Sequence, residues 1–86
     1  MELKLNSSMI KMILHIHQNG YVTKSTRPFL NNFKYYNYLW LLRDMNIIRC
    51  EKTNIENHQK KWIFTEKGQK VADMLYNIKE LIENEN

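Results

Sequence analysis

The side chains that most often do chemistry are few in this chain and poorly spaced for it. The 86 residues hold three histidines and one cysteine. His15 and His17 are two positions apart, which puts them on different sides of a helix. His58 stands alone in a polar stretch. No pair of Cys or His has the spacing of a metal site, and two glycines in all cannot build a phosphate-cradling loop. No nucleophile has a positioned base beside it. The residues therefore predict a protein that is not an enzyme and that needs no cofactor and no metal. Cys50 cannot form an intrachain disulfide, which makes the cytoplasm the default location and leaves a bridge between two copies open. Its alternation with Ile48 predicts a buried, inert thiol.

Charge is a better guide. Thirteen Lys and Arg stand against nine Asp and Glu, a net charge of +4. Residues 1–65 carry ten basic and four acidic side chains, whereas residues 66–86 carry three and five. The excess lies in the body of the chain and suits a polyanionic partner, although an ordinary solvated surface explains it as well. Eleven asparagines and abundant Ile, Lys and Tyr point to an AT-rich coding sequence, compatible with a thermophile, a virus or a plasmid, so frequency alone makes no Asn functional. No apolar stretch approaches the length of a membrane span, and the N-terminus lacks a signal-peptide pattern.

These side chains must be positioned by a few short elements, and residues 1–86 read as a single domain. A first helix is predicted from Ser8 to Gln18, capped by Asn6, Ser7 or Ser8 and stopped by Asn19-Gly20. Its apolar arc covers roughly 200°, wider than one core requires, and suggests that Met12 or Ile16 also touches a second subunit. Thr23 caps a second helix over about Lys24 to Leu30. Pro28 makes that helix either short and bent or a later start near the proline itself. The third helix runs from about Phe33 to Met45, with Tyr35, Leu39 and Leu42 as its buried stripe and Tyr36, Trp40 and Arg43 along one flank. Strands come next at Ile47 to Lys52 and at Lys61 to Thr65, with a long polar loop between them and with Trp62 and Phe64 in the core. The last helix spans Glu66 to about Glu83. Val71, Leu75, Ile78 and Ile82 repeat there at 4-3-4 spacing.

The order α-α-α-β-β-α, mainly α with a small β-hairpin, resembles the winged helix-turn-helix family. Leu39 and Leu42 followed by Asn46-Ile47-Ile48 are similar to that family's recognition-helix ending. Phe64-Thr65-Glu66-Lys67-Gly68 followed by Val71 is similar to its return strand and last helix, as in bacterial and archaeal regulators of the multiple-antibiotic-resistance type. Pro28 departs from the pattern, as does Asn46, where Gly is usual. The resemblance implies a helix-turn-helix over about 23–45, a wing over about 47–65 and a dimerisation helix over about 66–83. It implies a homodimer on double-stranded DNA, with the third helix in the major groove. Asn32, Lys34, Tyr36 and Asn37 are then offered to base edges, and Lys24, Ser25 and Arg27 lie over the backbone. Lys52, Asn54, His58, Lys60 and Lys61 of the wing would meet phosphate or the minor groove. Trp40 either packs or touches DNA. Met74, Leu75, Ile78, Leu81 and Ile82, with Met12 or Ile16, would form the dimer seam. A non-specific architectural DNA protein and a protein-interaction module are the alternatives.

Overall fold

The computed structural model describes residues 5–28, 31–51 and 60–84. Helix α1 (Ser7–Asn19) starts where Asn6 Oδ1 accepts the Met9 amide at 2.8 Å. It stops at Gly20, whose φ of 87° is left-handed. Helix α2 (Asn32–Asp44) corresponds to the third helix expected from periodicity, and helix α3 (Glu66–Glu83) to the last. Strands β1 (Ile48–Glu51) and β2 (Lys61–Phe64) form an antiparallel hairpin with Ile48 opposite Phe64 and Glu51 opposite Lys61. Val22 adds a single bridge to Trp62, exchanging two backbone hydrogen bonds of 3.0 and 2.9 Å, so the chain between α1 and α2 is tied to the hairpin. The whole is a mainly α, winged-helix-like topology with a small hairpin and a long C-terminal helix.

One element is shorter than its sequence suggests. Where a second helix is expected over Lys24 to Leu30, the described residues hold only a 3-10 turn, Lys24–Thr26. Arg27 leaves it in extended conformation, with ψ of 146°. The next residue, Pro28, explains this, because its ring disfavours the α region in the residue before it. Residues 29 and 30 lie outside the described residues.

The core unites Met9, Met12, Ile13, Ile16, Val22, Tyr35, Leu39, Leu42, Ile47, Ile48, Trp62 and Ala72. Tyr35, Leu39 and Leu42 are the inner stripe of α2, as the i, i+4, i+7 spacing requires. Trp62 is buried and Phe64 packs against the core from outside. Met12 and Ile16, the α1 residues also expected at a second subunit, both have 0% exposure and belong to the core. The apolar arc of α1 packs against α2 and α3, and Ile10 and Leu14 at its edge are half-buried. The expected burial of Cys50 is corrected, since its thiol is exposed and donates to the Glu51 carbonyl at 3.8 Å. Alternation predicts burial only where a layer covers the face. In β1 the cover ends after Ile48, and Arg49, Cys50 and Glu51 are all exposed.

The best-fixed part of the molecule joins α2, the hairpin and α3. Asn46 turns the chain at φ 61°, a left-handed value that Asn tolerates better than most residues. Thr65 caps α3 by accepting the Gly68 amide at 2.9 Å. The same hydroxyl donates to the Asn46 carbonyl at 2.6 Å, and the Thr65 amide donates to Ile47 O at 3.0 Å. Lys67 Nζ reaches the Met45 carbonyl at 2.9 Å. Gly68 has a steric reason: a Cβ there would sit 1.8 Å from Ile47 O. Farther along, His17 stacks on Tyr76 and approaches Asp73 Oδ1 at 3.2 Å, pinning α1 to α3.

Candidate nucleic-acid interface

Helix α2 presents an outer face because its inner one is spent on the core. Asn31 Oδ1 accepts the Phe33 amide at 2.8 Å and fixes the helix start. No acidic residue occupies the first turn. Asn32, Lys34, Tyr36 and Asn37 are all exposed, so the four expected base-reading residues share the first two turns of an accessible helix. Asn37 lies nearly opposite Tyr35 around the helix, with Lys34 and Tyr36 on its two sides. Tyr35 itself is core: burial foremost, with the neighbouring Tyr36 adding to it, pushes its hydroxyl pKa up to about 12.

Tyr36, Trp40 and Arg43 form the flank that their spacing predicts. The Tyr36 and Trp40 rings stack at 6.4 Å, and the Arg43 guanidinium lies 4.4 Å above the Trp40 ring. Trp40 also meets Trp62 edge to face at 5.9 Å. Its packing role is thereby established, since it braces α2 against the hairpin. Arg43 is further occupied by Asp44 at 3.1 Å.

The remaining candidates differ in how openly they are presented. Lys24 and Ser25 are exposed on the 3-10 turn. Arg27 is half-buried, and its guanidinium turns back to donate to the Lys24 carbonyl. Lys60 is exposed at the loop end of the hairpin, next to the Glu51–Lys61 pair. Lys61 is half-buried, 3.8 Å from Glu51 and 4.6 Å from the centre of the Tyr21 ring. Its ammonium is therefore committed to holding the strand ends together. Lys52, Asn54 and His58 lie outside the described residues.

Phe33 is absent from the residues singled out in the sequence. Its side chain is 77% exposed on the first turn of α2. Its angular position, away from Tyr35 and beside Asn37, was the available signal. The seam on α3 also divides. Val71 and Leu75 pack against the core, whereas Met74, Ile78, Leu81 and Ile82 are between 53% and 70% exposed. Single exposed apolar residues are ordinary, and these four fall in one row at i, i+4, i+7 and i+8.

Among the described residues no cluster of His, Cys, Asp or Glu could hold a metal ion, and no helix is long and apolar enough to cross a membrane. No protein-family model matches the sequence, and no curated protein matches it. Among solved structures, the crystal structure of AF1382 from Archaeoglobus fulgidus is similar, with a TM-score of 0.69 and 18% sequence identity. The likeness spans 95% of this chain and 94% of that one, and at this identity it is a likeness of fold.

Proposed function

We propose that this chain is a sequence-specific regulator that binds double-stranded DNA as a homodimer and works by binding rather than by catalysis. The observation that carries the reading is the exposed, acid-free start of α2, where Asn32, Lys34 and Asn37 stand clear of the core. A single helix fits the major groove, and Asn and Lys supply the hydrogen bonds that adenine and guanine edges accept. Exposed Lys24 and Lys60 would supply phosphate contacts, which set register and carry the salt dependence. The apolar row on α3 supports the dimer. A two-fold axis there sets two α2 helices against half-sites about 34 Å apart.

Gel-shift titrations on random and selected duplexes, repeated over salt, test the reading. A specificity ratio on the order of 10³ or more supports a regulator. A steep salt slope without preference supports the architectural alternative, and no binding at low salt overturns both. The protein-interaction reading is favoured by Leu41 and Trp40, which extend the apolar exposure of α2. It gains from that last outcome. For the dimer, Ile78→Lys with Leu81→Glu is expected to yield monomers in sedimentation with little change in helix content. An unchanged mass counts against the α3 seam.

A further inference from the structure

Phe33 is the most exposed large apolar side chain among the described residues. The core does not require it, because Tyr35, Leu39 and Leu42 already fill the inner stripe of α2. At 100° per residue, Phe33 lies roughly 160° around the helix from Tyr35. Asn37 stands one turn later on the same outer face. The Asn31 cap holds the first turn, so the ring projects from a fixed helix end. Lys34 is adjacent and exposed, and no carboxylate in that turn repels a phosphate.

A phenyl ring has no hydrogen-bonding group with which to read a base edge. It can discriminate only by apolar contact and by leaving a facing polar group without a partner. In the major groove, thymine alone of the four DNA bases presents a methyl group, whereas cytosine presents an amino donor that a ring cannot satisfy. Resting on the DNA-binding reading above, we propose that Phe33 is a specificity-determining residue that packs on the C5-methyl of thymine. Asn37, one turn away, pairs with a nearby adenine. The pair selects A·T-containing half-sites by two different chemistries, one apolar and one bidentate.

The test removes only the methyl. The full chain selects duplexes from a random library, and a recovered duplex is synthesised once with thymidine and once with deoxyuridine. Binding is titrated at one fixed salt concentration. One methyl group in an apolar contact is worth about fourfold in affinity. Two half-sites give the wild type about a 16-fold preference for thymine on the same basis. Phe33→Ala is expected to bind the thymine duplex more weakly and to lose the preference, whereas Phe33→Leu keeps most of it. The side chain is outside the core, so both variants should melt with the wild type by circular dichroism. Equal affinity of the wild type for the two duplexes overturns the methyl contact and leaves the DNA reading intact. An undiminished preference in Phe33→Ala overturns the role of Phe33. Binding without any sequence preference overturns the base reading altogether. No binding to any duplex defeats the DNA reading itself, and the inference falls with it.

Discussion

Thr23 and Thr65 begin two helices in much the same way, and the helices end very differently. Thr23 opens a capping box in which the Thr23 amide donates to Thr26 Oγ1 at 2.9 Å. Thr65 accepts the amide three residues on, at Gly68, also at 2.9 Å. The first start yields one 3-10 turn, the second an α-helix of 18 residues. After Thr23 comes Arg27-Pro28, which forces an extended residue within one turn. After Thr65 come Val71, Ala72 and Leu75, an apolar face with a core to pack on. The Thr65 hydroxyl is also bonded into the neighbouring turn at Asn46, whereas Thr23 Oγ1 bonds to Ser25 and Thr26 of its own turn. A cap fixes where a helix starts. The residues beyond the cap decide whether the helix continues.

The largest expected effect of breaking this contrast comes from Gly68→Ala. Helix propensity alone predicts a gain of about 1 kcal/mol. The Cβ would press on the Ile47 carbonyl, so α3 must shift and a net loss of about 3 kcal/mol is expected in denaturant unfolding. A stabilised variant would show that α3 docks less closely. Next is Thr65→Ala, expected to cost about 2 kcal/mol as a cap is lost and the hydroxyl's contacts with the Asn46 and Ile47 carbonyls go with it. Thr23→Ala should cost about half as much, because it ends only a local turn. Equal losses would mean that the two starts are equally tied to the core. Pro28→Ala is expected to leave stability within about 1 kcal/mol while backbone chemical shifts over 24–28 move toward helix. Unmoved shifts would exonerate the proline.

A final, pH-dependent effect concerns His15, which faces the Thr23 turn. Burial lowers its pKa below the ordinary 6.5, with a backbone hydrogen bond at Thr26 opposing the shift. The unfolded chain therefore takes up this proton more readily than the folded one. Stability is expected to fall as the pH drops from above 6.5 toward the depressed folded value, and His15→Gln should flatten that part of the profile. An identical slope in the variant would assign the pH dependence to other groups.

Much of this organisation was legible in the chain because it obeys local rules. The stripe of Tyr35, Leu39 and Leu42 is simple periodicity. Asn46 is a residue type that tolerates the left-handed turn it makes. Thr65 and Gly68 stood out as part of a motif, although the reason for the glycine is a contact with Ile47 that no local pattern contains. Local pattern stops where cover by another layer decides. The arc of α1 looks the same whether its own core or a partner covers Met12 and Ile16. Strand alternation at Cys50 gives a side but not whether anything lies over that side. Of the candidate site, Asn32, Lys34, Tyr36 and Asn37 follow from the family resemblance, and the folded chain leaves all four exposed. Phe33 was passed over because an aromatic at a helix start reads as a boundary or a core residue, and only its exposure in the folded chain separates it from both.

Trp40 and Trp62 are the chain's two tryptophans, and they meet edge to face where α2 joins the hairpin. The molecule therefore carries an optical reporter for one joint alone. Selective excitation of indole reports on the environment of this joint between helix and hairpin without any label.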